Sequence, residues 1–75
     1  MEIDDLAIPA GHPLVGKSFR ESDAREFALL VLAVRHASGE MVVGAAADDR
    51  VAAGDVLIVF GKPDNISRFR KQHGL

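Results

Sequence analysis

Five consecutive apolar residues, Val56-Leu57-Ile58-Val59-Phe60, stand between two sets of turn signals and constrain this chain more than any other stretch. Gly54-Asp55 precedes them, and such a pair is turn chemistry: Gly reaches positive φ, and Asp can bond its own backbone. Gly61, Pro63, Asp64 and Asn65 follow and end the run. Its length and β-branched content read as a strand. Alternate residues of a strand point to opposite faces, so Val56, Ile58 and Phe60 oppose Leu57 and Val59. Both faces are apolar, and both want cover. A chain of 75 residues has little material to cover two faces of a sheet. A domain of this size buries only about 60% of its unfolded surface, and without cysteine no disulfide supplements it. Association with a second copy is the natural remedy.

Composition narrows the function classes. Hydrophobic residues make up 48% and charged residues 27%, a globular balance that excludes intrinsic disorder. The net charge of -2 argues against non-specific nucleic-acid binding, which needs a basic footprint. All aromatic residues are Phe, so no Trp or Tyr platform exists for stacking bases. No apolar run approaches the roughly 20 residues of a membrane span, and no signal-peptide pattern is present. The absence of cysteine fits a cytoplasmic protein.

The remaining elements follow from local signals. Glu2 to Ile8 is half polar and reads as an edge strand. Pro9, Gly11 and Pro13 then enforce a loop. Ser18-Phe19-Arg20-Glu21 fits a capping box and predicts a short helix over Ser18 to Arg25. Ala28 to Val34 reads as a strand, with Leu29, Val31 and Ala33 on one face and Leu30, Leu32 and Val34 on the other. Ala37-Ser38-Gly39 makes a turn, and Met41 to Gly44 returns as an antiparallel strand. Ala45 to Ala53 is a loop of mostly small residues. After the Val56–Phe60 strand, Pro63 suits the first turn of a helix and Asp64 its positive N-terminus. Arg68, Arg70, Lys71 and His73 suit the C-terminal end, and Gly74 supplies a stop. The predicted order is strand, helix, strand, strand, strand, helix, in one domain over residues 1–75.

Gly11-His12-Pro13-Leu14-Val15-Gly16-Lys17-Ser18 matches the phosphate-binding pattern G-x-x-x-x-G-K-S/T letter for letter. In the right context loop N–H groups would cradle phosphates, Lys17 would reach the terminal phosphates and Ser18 would hold Mg²⁺. The context argues otherwise. The preceding strand is half polar, Pro13 removes an N–H, and Leu14 and Val15 look like core anchors. The structural reading is that Leu14 and Val15 pack inward, Gly16 turns and Ser18 caps, with Lys17 exposed. His12, His36 and His73 are widely spaced and lack cysteine support for a metal site. Asp48, Asp49 and Asp55 read as turn and cap residues. No catalytic triad or acid–base pair is legible. Arg35 and His36 lie where the second strand runs out into the hairpin. They are either solvated strand-end charges or an anion contact, since an Arg fork suits phosphate. Ala45, Ala46 and Ala47 would leave room for a ligand.

The ordered set then becomes familiar: a Pro-Gly loop, Leu14-Val15-Gly16-Lys17-Ser18, and a strand ending Leu32-Ala33-Val34-Arg35. A hairpin follows, then Asp48-Asp49 with Val51, Gly54-Asp55, Val56 to Phe60, Gly61 and a terminal helix. From about Ile3 to Phe69 this resembles the TrkA-C domain, the C-terminal subdomain of RCK (regulator of K⁺ conductance) proteins. The phosphate-loop octet falls where that family carries its own Gly-x-x-Leu-x-Gly-x-Ser/Thr loop. The resemblance implies an α/β (α+β) fold with a four-stranded sheet and two short helices, in a homodimer. It implies a cytoplasmic, non-catalytic regulatory domain that senses a ligand for a potassium or other cation transport system. The expected partner is a membrane channel, transporter or antiporter subunit, attached or separate, with no nucleic acid and no direct membrane insertion. Some members bind cyclic di-AMP at the dimer interface, which in this chain maps to Val31, Leu32, Arg35, His36, Met41 and Val42. No metal or catalytic residue is implied. The family often has Pro after the third strand, where this chain has Gly44-Ala45-Ala46-Ala47. Two other readings remain: a structural dimerisation or docking module without a small ligand, and a phosphate-handling enzyme using Lys17 and Ser18.

Overall fold

The computed structural model describes residues 1–75. Its elements are β1 (Glu2–Ala7), a 3-10 turn (Ala24–Phe27), β2 (Leu30–Arg35), β3 (Met41–Val43), β4 (Val56–Gly61) and α1 (Pro63–His73). The strands form one sheet in the order β1-β4-β2-β3, with every neighbouring pair antiparallel. The doubly apolar run is thus an inner strand, and half-polar β1 is an edge strand, as its sequence predicts.

One face of the sheet is covered. Leu6, Leu57, Val59 and Val34 lie there in a cluster with Ile66 and Phe69 of α1 and with Ile8, Leu14, Phe19, Ala24, Leu29 and Val51. Most of that cover comes from loop residues, because one helix of 11 residues cannot span four strands. α1 has Pro63 at its start and Asp64 in its first turn, and Gly74 closes it at φ 63 with its N–H on the Arg70 carbonyl. Arg70 reaches back to β1, donating to the Asp4 carboxylate at 3.1 Å and the Asp5 carbonyl at 2.8 Å. The Asp4 carboxyl is held below its usual range, first by that Arg70 hydrogen bond and then by the Asp5 N–H.

The opposite face stays open. Residues paired across strands share a face, and the register defines three rows. Ile3, Phe60 and Leu30 form the first; Asp5, Ile58, Ala33 and Val43 the second; Ala7, Val56, Arg35 and Met41 the third. All but Asp5 and Arg35 are apolar, and Ile3, Leu30 and Val43 are 61%, 59% and 79% exposed.

Two sequence expectations are corrected. Ser18 to Arg25 does not form a helix, so the fold has one helix and not two. The capping box itself exists: the Glu21 N–H donates to Ser18 Oγ at 3.1 Å, and the Ser18 N–H donates to Glu21 Oε1 at 3.0 Å. The Ser22 hydroxyl then donates to the Phe19 carbonyl at 2.8 Å, a local side-chain bond that offers the backbone an alternative to the helix. The Phe19 and Arg20 N–H groups bond to the carbonyls of Asp49 and Ala47, which ties this turn to the loop before β4. The chain recovers only a 3-10 turn, ended by Ala28 in the left-handed region at φ 57.

The second correction concerns β2. Its pairing with β4 shifts register between Val31 and Ala33, which leaves Leu32 as a bulge. One extra residue resets the alternation. Val31 and Val34 therefore share the covered face, opposite Val59 and Leu57, while Leu30 and Ala33 share the open face, opposite Phe60 and Ile58. Strict alternation had placed Ala33 with Val31 and Val34 with Leu30.

Candidate ligand-binding site

The β2–β3 hairpin holds the six residues that sequence reasoning singles out, and the sheet separates them. Arg35 and Met41 are paired on the open face, both exposed. Val31 opposes Val59, and Val42 opposes Val34, on the covered side. Leu32 is the bulged residue, half-buried, and its carbonyl accepts the Gly44 N–H at 2.9 Å. His36 follows β2 and turns toward the covered side. None of the chain's five ion pairs uses Arg35, so its guanidinium is free for an anion.

Where the loop cover thins beside β3, a cleft of about 280 Å³ opens, lined by Phe19, Val34, His36, Val42, Ala45, Asp49 and Arg50. Ala45 belongs to the small-residue loop expected to leave room, and His36 and Val42 belong to the predicted set. Phe19, Asp49 and Arg50 were not predicted there. Their approach depends on a long-range contact, the bridge between Ser18 and Arg50, which no local pattern encodes.

His36 is fixed from behind. Its Nδ1 lies 2.9 Å from Oδ1 of Asp55, which is 1% exposed. Asp55 is itself held by the Ala52 N–H, which donates to Oδ2 at 2.8 Å. A carboxylate acceptor selects the imidazole form that carries a proton on Nδ1. The Asp55 hydrogen bond pushes the His36 pKa above its ordinary 6.5; partial burial opposes this, and the charges of Asp55, Glu40 and Asp49 reinforce it.

The other candidate clusters are structural. His12 Nδ1 accepts the Leu14 N–H at 3.0 Å, and its Nε2 donates to the His73 carbonyl at 2.7 Å. His73 Nε2 lies 2.6 Å from Asp23 Oδ1, so these two histidines tie the end of α1 to the loops far from His36. Asp48 pairs with Arg20 at 3.2 Å, and Asp49 accepts the Ala46 N–H at 2.9 Å. No three His, Asp or Glu side chains converge as a metal site. The phosphate-loop octet has no free cradle. The N–H groups of Leu14, Val15, Gly16, Lys17 and Ser18 bond in turn to His12 Nδ1, the His12, Val51 and Leu14 carbonyls and Glu21 Oε1. Leu14 is buried and Lys17 exposed, as the structural reading of that loop holds.

The comparisons with known proteins agree with this architecture. The family model of the TrkA-C domain matches residues 5–74. The chain belongs to the TrkA-C domain family. Among solved structures it is similar to the RCK_C domain dimer of S. agalactiae BusR in complex with c-di-AMP, at a TM-score of 0.83 and 19% identity over 97% of this chain and 90% of that chain. It is similar to the RCK C domain of the potassium transport protein KtrA in complex with cyclic diadenosine monophosphate, at 0.78 and 19% identity over 95% of this chain and 84% of that one. S. agalactiae BusR in complex with its busAB-promotor DNA matches at 0.83 and 19% identity, over 97% of this chain and 36% of that chain. No curated protein matches the chain. At 19% identity these structures show a shared fold. No helix is long and apolar enough to cross a membrane.

Proposed function

We propose that residues 1–75 form one regulatory, non-catalytic domain of a potassium or other cation transport system, acting at the cytoplasmic face of its membrane subunit. Two copies associate through the open sheet face, and an anionic ligand of the cyclic di-AMP class binds at the β2–β3 hairpins. The observation that carries this reading is an apolar sheet face left uncovered beside a hairpin bearing Arg35, which no ion pair engages. Family membership supports it, and so do two similar folds that were solved with cyclic di-AMP. Physically, a ligand in a shared groove favours the dimer geometry it binds better, and only that difference in affinity can move an attached gate. We read no nucleic-acid contact for this segment, because its net charge is -2 and it has no aromatic stacking platform. A structurally similar protein has been solved with DNA, and the corresponding part is about a third of that chain.

Calorimetric titration with cyclic di-AMP, with ATP and Mg²⁺ as control, tests this reading. Binding at about micromolar affinity, with one ligand per two chains, is expected. Silence from cyclic di-AMP over a stable dimer would favour a structural dimerisation module. One ATP per chain would revive the loop at Gly11 to Ser18.

A further inference from the structure

Three titratable side chains line the cleft beside the hairpin: His36, Asp49 and Arg50. Asp49 and Arg50 carry opposite charges at neutral pH and offset one another. The Arg50 guanidinium is also engaged, donating to the Gly16 carbonyl at 2.7 Å and lying 3.4 Å from Glu21. Protonation of His36 therefore shifts the charge of the cleft by one unit, offsetting the Asp55 carboxylate behind it.

The imidazole is oriented to use that property. Asp55 is buried and pinned by the Ala52 N–H, and it takes the Nδ1–H of His36. Nε2 is left as the free polar atom of a ring that is about one-third exposed. In the neutral ring Nε2 is a lone pair, which a phosphate oxygen meets as acceptor against acceptor. In the charged ring it is an N–H donor with a full positive charge. We propose that His36 is a proton-dependent anion contact of the ligand site, donating from Nε2 to a phosphodiester oxygen, so that binding takes up a proton. This rests on the function proposed above, namely an anionic ligand at this hairpin, and it requires that ligand to lie at the sheet margin formed by the edge strand β3, where the Arg35 and His36 sides of the sheet meet.

The groups around His36 fix the direction. Asp55 lies on the turn before β4, Glu40 on the hairpin turn and Asp49 on the loop, and all three favour the charged ring. Arg35, next in the chain, faces the opposite side of the sheet. The protonated form is present below the ordinary histidine range and is lost as pH rises through the raised folded value. Affinity for the ligand should follow the same course.

The test is calorimetry with cyclic di-AMP at about pH 6 and about pH 8.5, in buffers of different ionisation enthalpy, for the wild type and His36→Gln. Gln keeps a donor to Asp55 and stays neutral. The wild type should lose at least about tenfold in affinity across that range, with up to one proton taken up per His36 engaged. His36→Gln should bind about as weakly as the wild type at high pH and show no proton uptake. On the wild type alone, ligand should also raise the titration midpoint of the His36 ring followed by NMR, which needs no variant. Tight binding with no pH dependence would overturn this inference and leave the proposed function intact. Absence of binding at both pH values in a folded dimer would overturn the ligand reading itself, and this inference with it.

Discussion

Phe69→Ala is expected to destabilise the domain by about 3–5 kcal/mol and to lower its melting temperature by roughly 15 °C or more. Phe69 is 1% exposed and is the largest fully buried side chain. Its ring meets Phe27 edge-on at 5.5 Å and His73 at 4.4 Å. It joins α1 both to the sheet and to the 3-10 turn. Truncation removes the transfer energy of the ring and leaves a cavity that the loop cover can only partly fill. A domain this small has total stability of about 4–11 kcal/mol, so a large share is lost in one step. Thermal melts by circular dichroism measure it. A loss under about 1 kcal/mol would contradict the placement of Phe69 at the centre of the core.

Leu30→Asp is expected to leave the protomer folded and to raise the dimer dissociation constant more than about a hundredfold. Leu30 is 59% exposed in the single chain, so a carboxylate there keeps most of its hydration and costs the protomer little. In a face-to-face dimer the same carboxylate loses its water among Phe60 and Ile3 of its own row and the partner's apolar face. A two-fold interface presents every residue twice, which doubles the effect. Leu32→Asp would be a less clean choice, because Leu32 is half-buried in the bulge and a charge there attacks the protomer as well. Circular dichroism and sedimentation on the same sample separate the outcomes. A dimer that survives Leu30→Asp would place the interface elsewhere on the surface.

Most of the sheet is legible in the sequence because its signals are local and agree. Gly54-Asp55 and Gly61-Pro63 bracket β4, the half-polar residues of β1 mark an edge, and Pro63, Asp64 and Gly74 bound α1. The failures occur where a tertiary contact or a side chain outbids the local signal. The capping box of Ser18 and Glu21 is correct as chemistry, but the chain around it bonds to the distant carbonyls of Ala47 and Asp49 and does not continue as a helix. The bulge at Leu32 leaves no compositional trace, since every residue from Leu29 to Val34 is apolar and a phase shift among them changes no pattern. The candidate site shows the same limit. His36 is singled out by its place where β2 runs into the hairpin and Val42 by the family resemblance, and both line the cleft. Phe19, Asp49 and Arg50 enter only when the chain folds the loop at Ser18 against Arg50. The bond from His36 to Asp55, which orients the ring, links residues 19 apart across two turns and has no sequence signature.

Sedimentation of the wild-type chain over a range of about 1–100 μM tests the central claim most directly. The proposed interface on the open apolar face and the proposed ligand groove both need two copies, so the account predicts a species of twice the 8.0 kDa chain mass that tightens further with cyclic di-AMP. A folded monomer throughout that range, unchanged by ligand, would contradict it.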